Sequence, residues 1–548
     1  MPSSIHKKQG DFLNFPSHMR VVGNTTAMRE LRTVTDAEFI PPLEEETSKL
    51  PVADVLMRHP SKGNNIPPEA YRLTIENEAI IIEASAASGF FYGLQTLTAL
   101  LEQYKTPNGY NLPPLEIFDC PQYSWRGLHL DVSRHFFTVD EVKAHLDTMS
   151  LFKLNKLHFH LTDGPGWRIQ INSYPQLTET GAWREYDLDR EWNWQSTRIG
   201  KSSDEKKTYG GFYTQDEMKE LVSYAAKRHI EIIPEIDIPG HSYAALVSYP
   251  SLACDGFEPL GNGLKGHDYL CMGKEESFQF VIKVLEEIIP LFPKETPIHL
   301  GGDELITSCG SSCKDCQNLM KREKLASSQD IERWFMNRVI QHLHQQDKKA
   351  ITWDDAYEAG VKKQTVMCWR GEETVLEAIN DSHPVILCPA SHFYFDYYQD
   401  DPEKEPKAIG GFIPLEKVFS YTPPSTSPLI KGIQGNLWTE YIHTKAQLDY
   451  MTWPRGIALA ERAWGSPKTS FKDFTDRMTP YLQILMRKGI RYRALNQSSC
   501  KQGTNKPEEI EQEVSFRGFL SNPPMTTKSI RVARELDSKK KFLNDESW

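Results

Sequence analysis

Two hydropathy patterns divide the chain. In the first, Tyr71-Arg72-Leu73-Thr74-Ile75 and Ala79-Ile80-Ile81-Ile82-Glu83 flank the polar Glu76-Asn77-Glu78, as paired strands do. Phe91, Leu94, Leu97, Leu100 and Leu101 then recur at helical spacing. Pro113-Pro114 and Cys120-Pro121 punctuate the end of this stretch. Residues 1–121 are therefore expected to form a small α+β domain.

From residue 122 the pattern becomes strand, loop, helix, repeated. Short apolar runs at 127–132, 156–161, 231–236, 298–301, 350–353, 365–368, 385–388 and 432–437 read as eight strands. Helical patterns lie between them, at 139–151, 215–227, 277–289, 330–344 and 447–462. This alternation predicts an α/β architecture, a (β/α)8 TIM barrel over residues 122–495. An open doubly wound sheet competes, but no glycine-rich phosphate fingerprint follows a strand. The stretch exceeds the roughly 250 residues usual for such barrels. That excess implies inserted loops, most plainly at 164–211, rich in Trp, Tyr, Asp and Arg. Residues 496–548 are polar and charge-rich and are expected to be a short, partly ordered C-terminal extension.

The candidate chemistry sits at the strand ends. Ile298-His299-Leu300 stops at Gly301-Gly302, which lets the backbone approach a neighbour closely, and Asp303-Glu304 follows. Two carboxylates held together cannot ionise independently, which suits acid/base work. A capped strand end leading into a helix N-terminus would also carry acids. Other strand ends bring Asp131, Asp163, Glu235, Asp237, His241, Trp353, Trp369, Arg370, Trp438 and Glu440, with Tyr394 and Asp396 after the seventh strand. A lone Trp there more often seals a barrel mouth than binds a ligand. Eight independent seals would not all need polar tips, however. Indole faces with carboxylates and arginine suit a sugar, whose CH faces stack and whose hydroxyls hydrogen-bond.

Two other readings stay open at this point. His158-Phe159-His160 with His241 and Asp303 could serve a metal-dependent barrel hydrolase. A non-catalytic carbohydrate-binding barrel could use the same walls. Composition narrows the field further. A net charge of −11, from 74 acids against 63 bases, leaves no basic stripe for nucleic acid. The 12 Trp and 22 Tyr fit a cleft for an amphipathic ligand. No apolar run is long enough to span a bilayer, and Met1-Pro2-Ser3-Ser4-Ile5-His6-Lys7-Lys8 shows no signal-peptide core. Oligomeric state is not readable.

Taken together, His299-x-Gly301-Gly302-Asp303-Glu304, Trp125-Arg126-Gly127, Leu161-Thr162-Asp163, the run from Pro234 to His241, and Leu437-Trp438-Thr439-Glu440 resemble the β-N-acetylhexosaminidases of glycoside hydrolase family 20. The resemblance covers the chain to about residue 495. It implies an exo-acting, retaining hydrolase acting on oligosaccharides or glycoconjugates that end in β-linked N-acetylhexosamine, with no cofactor or metal. It also implies a secreted or periplasmic location. In this family the substrate's own acetamide oxygen is the nucleophile, and an oxazolinium intermediate forms. The implied roles are Glu304 as general acid/base, Asp303 as the acceptor of the acetamide N–H, and Tyr394 as a donor to its carbonyl. Trp353 and Trp369 wall the acetamide pocket, and Trp438 is the floor under the pyranose. Arg126 and Glu440 hold O3 and O4, Asp396 holds the O4/O6 region, and Asp163 and His241 support the acid. GlcNAc against GalNAc turns on one hydroxyl near Asp396 and Glu440.

Two features depart from the pattern. Many relatives carry a second acid directly after the Asp163 position, where this chain has Gly164. Cys309, Cys313 and Cys316 form a cluster with no fourth ligand nearby in sequence, so a disulfide or free thiols are expected.

Overall fold

In the computed structural model a seven-stranded mixed sheet precedes a closed eight-stranded parallel barrel. The structure describes residues 4–495, apart from 24–42, 46–54, 186–191, 193–197, 259–267, 306–311, 466–468 and a few single or paired positions. The expected extension at 496–548 and Cys309 lie outside the described residues.

The sheet comprises β1 (Ser4–Lys7), β2 (Val21–Gly23), β3 (Leu43–Glu45), β4 (Val55–Arg58), β5 (Tyr71–Glu76), β6 (Ala79–Ala84) and β7 (Leu115–Asp119), in the order β1-β7-β5-β6-β4-β2-β3. The expected strand pair is β5–β6, antiparallel, with Leu73 opposite Ile82 and Ile75 opposite Ile80. Helix α1 (Ala87–Gln103) packs its apolar side chains onto this sheet.

The barrel strands are β8 (Trp125–Asp131), β9 (Lys156–His160), β10 (Glu231–Glu235), β11 (Ile298–His299), β12 (Ala350–Trp353), β13 (Thr365–Cys368), β14 (Val385–Leu387) and β15 (Ile430–Gly435). They pair in chain order, and β15 closes against β8. Around them run α2 (Val139–Leu151), α3 (Gln215–Ala226), α4 (Glu275–Ile288), α5 (Lys314–Glu323), α6 (Ser328–Gln345) and α7 (Glu372–Asn380). Capping boxes open α2 (Thr138 with Glu141), α3 (Thr214 with Glu217) and α6 (Ser327 with Asp330). Each satisfies two otherwise orphaned N–H groups, and losing such a cap costs about 1 kcal/mol. The single helix expected over 447–462 is two, α8 (Lys445–Thr452) and α9 (Arg455–Trp464). Pro454 has no N–H to give and its ring crowds the preceding turn, so the helix stops and restarts. Helix α10 (Phe471–Arg487) follows and packs on α1.

Strand alternation sorts the barrel side chains into two groups. Trp125, Ile233, Ile351, Trp353, Met367, Ile386 and Cys388 form a small cluster in the lumen. Leu128, Leu130, Leu157, Phe159, Ile232 and Leu300 belong to the larger core between strands and helices.

This parity corrects one expectation. Arg126 stands next to lumen-facing Trp125, at the start of β8, so its side chain leaves by the opposite face and at the wrong end of the barrel. It is fully buried. Nε donates to Lys153 O at 2.9 Å, Nη1 to Tyr123 O at 2.8 Å, and Nη2 to Glu69 at 2.6 Å and the Tyr92 hydroxyl at 3.1 Å. The Trp464 ring lies 5.0 Å from its guanidinium. Nearby, Lys153 Nζ reaches Asp119 at 2.9 Å and the Tyr71 hydroxyl at 2.8 Å. Arg126 therefore fastens the N-terminal sheet unit to the barrel floor and holds no sugar hydroxyl.

Arg126→Met strands the Lys153 carbonyl and the Glu69 carboxylate and should lower stability by about 2–3 kcal/mol, read by thermal or denaturant melting. KM for the expected substrate class should not move. A tenfold rise in KM without loss of stability would put Arg126 back in the site.

Candidate active site

Every other site residue expected from sequence gathers at the C-terminal end of the barrel, where βα loops build active sites. The acid pair is differentiated by the turn that carries it. Gly301 and Gly302 have φ of +66° and +85°. A Cβ on Gly301 would meet Asp237 Oδ1 at 1.7 Å, so only glycine fits there. The chain then turns through Glu304, itself left-handed at φ +51°. This leaves the Asp303 side chain 10% exposed and that of Glu304 61% exposed. A strained non-glycine residue of this kind is held in place by its surroundings. The Glu304 N–H points at Asp355, whose other oxygen accepts the Trp369 indole N–H at 2.9 Å.

His241, also left-handed at φ +51°, lies between the acids and a support. Its Nδ1 is 3.3 Å from Asp163, and its Nε2 is 3.5 Å from Asp303 and 3.6 Å from Glu304. Burial alone would lower its pKa, but the charges of Asp163, Asp303 and Asp237 raise it well above the ordinary value. Asp163 is buried too, yet Arg134 at 2.8 Å, with His241 and His160, holds it far below the usual carboxylate range. For Asp303 burial wins: its pKa rises to about 7, against the opposing charge of His241 and with help from Asp355 and Glu304. Desolvation, more than mutual repulsion of the doublet, therefore sets Asp303 apart.

The residue that sequence reading missed is Arg134. Asp131 ends β8 and folds the next turn over itself, accepting the N–H groups of Ser133 at 2.8 Å and Arg134 at 3.0 Å. Arg134 is thereby aimed across the mouth, over the Trp438 ring at 4.9 Å and 3.8 Å from Glu440. The signal was present: an arginine three residues past the acid at the strand's C-terminal end, whereas Arg126 is the second residue of β8. Asp268 was also missed. It sits against Gly164, so a Cβ there would meet its carboxylate at 3.3 Å. An acid from a distant loop thus stands beside Gly164, the position noted above as departing from the pattern.

The aromatic walls converge. Trp353 and Trp438 rings are 5.9 Å apart, and Trp369 stacks on Tyr394 at 6.0 Å. Tyr394 is 6.4 Å from Trp438. The loop bearing Tyr394 and Asp396 is fixed by buried Arg455, which donates to the carbonyls of Phe395, Tyr397 and Ile413. Trp353 is locked by its indole N–H on Glu235 at 2.9 Å. Asp303 Oδ1, Asp396 Oδ1 and Glu440 Oε2 are buried without a hydrogen-bond partner among the described residues. Burial raises the pKa of Glu440 to about 7 and that of Asp396 well above its usual range. Three buried carboxylates with spare acceptor capacity beside indole faces describe a pocket for a ligand rich in N–H and O–H groups.

The residues of the metal-hydrolase reading are divided. His158 and His160 project into the lumen and both face Glu235, with His299 3.0 Å from its other oxygen. His241 faces Asp163 and the acid pair instead.

Residues 123–467 match the Glycosyl hydrolase family 20 catalytic domain, and residues 1–120 match Glycosyl hydrolase family 20, domain 2. A beta-hexosaminidase of Porphyromonas gingivalis is 39% identical over 440 residues, covering 77% of this chain and 54% of that protein. This chain thus spans about half the length of that relative. A beta-hexosaminidase of Vibrio furnissii is 35% identical over 427 residues, 74% of this chain and 67% of that protein. The structure of the Vibrio harveyi exo beta-N-acetylglucosaminidase in complex with N-acetylglucosamine superposes with a TM-score of 0.79 at 31% identity, covering 90% of this chain and 78% of that one. With both of its units matched and the mouth of the barrel built as described, the chain belongs to glycosyl hydrolase family 20.

Proposed function

We propose that this protein is an exo-acting β-N-acetylhexosaminidase that releases terminal β-linked N-acetylhexosamine with retention of configuration, through an oxazolinium intermediate formed by the substrate's own acetamide. The observation that carries the reading is the split between the two adjacent acids. Asp303 is buried with one oxygen unpaired among the described residues, and Glu304 is exposed. A retaining enzyme with its own nucleophile sets two carboxylates across the sugar. Here the second acid, Asp303, directly neighbours Glu304, which supports an acetamide-steering role for it.

In this reading the sugar lies on Trp438 and its acetamide enters between Trp353, Trp369 and Tyr394. Asp303 accepts the acetamide N–H and offsets the positive charge that develops on the ring it forms. Tyr394 donates to the acetamide carbonyl oxygen, which attacks the anomeric carbon. Glu304 gives its proton to the leaving oxygen and then takes one from the water that opens the intermediate. His241, fixed by Asp163, keeps Glu304 oriented. Arg134 and Glu440 hold O3 and O4, and Asp396 holds the O4/O6 region. Holding the acetamide in an attack pose lowers the entropic part of the barrel site's activation barrier. The names of the similar hexosaminidases support this substrate class.

Glu304→Gln should cut kcat on an aryl β-N-acetylglucosaminide by about 10³-fold, and Asp303→Asn by about 10²–10³-fold. A thiazoline mimic of the intermediate should bind at least about 100-fold more tightly than free GlcNAc. Undiminished Glu304→Gln turnover, or weak thiazoline binding, would refute the mechanism.

Burial raises the Asp303 pKa to about 7, so its charged form gains population as pH rises through that value. Since the charged form steers and stabilises, kcat/KM should rise with pH through an apparent value near 7. Asp303→Asn should flatten that limb. A limb unchanged in the variant would assign it elsewhere.

Arg134→Met should raise KM by roughly 10–100-fold, the loss of a charged hydrogen bond to a hydroxyl. Ligand titration read by Trp fluorescence would measure it. An unchanged KM would remove Arg134 from the sugar site.

A further inference from the structure

Far from the catalytic pocket in chemistry, though next to it in the fold, four buried cysteines converge. Cys313 and Cys316 open helix α5, in the chain segment that follows Asp303 and Glu304. Cys254 and Cys271 belong to the segment that follows β10 and His241. The sulfurs of Cys254 and Cys316 are 3.8 Å apart, those of Cys271 and Cys313 3.6 Å, and those of Cys271 and Cys316 3.7 Å. All four residues are buried and unbridged, and one ligand atom from each lies within 4.8 Å of every other.

These distances fit one chemistry closely. Four thiolates about 2.3 Å from a tetrahedral ion sit roughly 3.8 Å from one another. We infer that Cys254, Cys271, Cys313 and Cys316 bind a structural zinc ion, which clamps the loop carrying His241 to the loop carrying the acid pair. The fourth ligand that sequence spacing could not supply comes from long-range pairing. Ala253 and Leu270 form an antiparallel bridge, and Cys271 N–H donates to Leu252 O at 2.8 Å. This brings Cys254 and Cys271 together beneath the Cys313-Lys314-Asp315-Cys316 turn.

The surroundings are built for thiolates as well. Cys313 is the N-cap of α5 and Cys316 lies in its first turn, where the helix dipole favours negative charge. Gly273 packs against the backbone of Asp315 and Cys316. A Cβ on Gly273 would stand 2.3 Å from the Cys316 backbone nitrogen, so glycine is required for that approach. Lys274 Nζ caps the Ser251 and Ala253 carbonyls at 2.8 and 2.7 Å, placing a cation beside the cluster. Asp255 accepts the Lys314 N–H at 3.1 Å, joining the two loops again.

Four thiols packed as mere core would gain little from this arrangement, since Ala or Val would fill the space without weak S–H donors. Binding releases the four thiol protons: Zn²⁺ and four Cys–SH give a tetrathiolate of net charge −2 and four H⁺. With four protein ligands and no open position, the ion would be structural rather than catalytic.

Enzyme purified without chelators should contain about one zinc per chain by elemental mass spectrometry, as a closed four-thiolate site implies. An organomercurial should release it, with a fall in Tm and in kcat. Growth on cobalt should give the visible bands of a tetrahedral tetrathiolate. Cys271→Ser and Cys316→Ser should lose the metal, while Cys309→Ser should keep it. Metal-free, folded, active enzyme would overturn the proposal, as would two disulfides by intact mass or iron in place of zinc. So would loss of zinc in Cys309→Ser. If the serine variants fail to fold, the metal content and cobalt spectrum of the unaltered chain still decide. None of these outcomes bears on the glycosidase reading, which stands on different residues.

Discussion

In a closed eight-stranded barrel each strand residue faces either the lumen or the helices, and the rest of this molecule is arranged around that alternation. It sends His129, His158, His160 and His299 inward with Glu235, and sends Leu128, Leu157, Phe159 and Ile298 outward into the main core. The polar lumen is tolerable only because its charge is matched. Glu235 would resist ionisation in so buried a place, but His160, His299 and His158 hold its pKa well down. His158 meanwhile is driven down to about 4 by burial. One carboxylate thus anchors the imidazoles and the Trp353 indole, and the base of the pocket is rigid before any ligand arrives.

Above that layer the βα loops decide the chemistry. The left-handed turns at Gly301, Gly302 and Glu304 take two consecutive acids and give them opposite surroundings. Asp163 links Arg134 and His241, so the arginine over the Trp438 ring and the histidine beside Asp303 and Glu304 share one fixed anion. Such coupling makes the site a single electrostatic unit, in which altering one member leaves another buried charge uncompensated. The cysteine cluster joins the segments that follow β10 and β11 and would fix their spacing, since the two-residue β11 meets β10 at a single register pair.

Much of this was legible along the chain. The eight apolar runs located the strands to within one or two residues, because period and length are local properties. The pair Asp303-Glu304, the walls Trp353, Trp369 and Trp438, and Tyr394, Asp396 and Glu440 all followed from the rule that function lies at strand ends. Arg126 failed for a reason visible in hindsight: it stands at the N-terminal start of its strand and has the wrong parity. Arg134 was hidden because a turn folded over Asp131, and not strand direction, aims it.

What the sequence determined by itself was whatever depends on near neighbours: element type, strand order, the barrel, and most of the strand-end residues at its C-terminal rim. What only the tertiary structure decided was whatever depends on separation in space. Burial divided the acid doublet, Asp268 came to stand at Gly164, and Cys254 and Cys271 met Cys313 and Cys316. The reason is physical. Desolvation and ligand geometry are set by every atom within a few ångströms, and in a closed barrel most of those atoms come from distant parts of the chain.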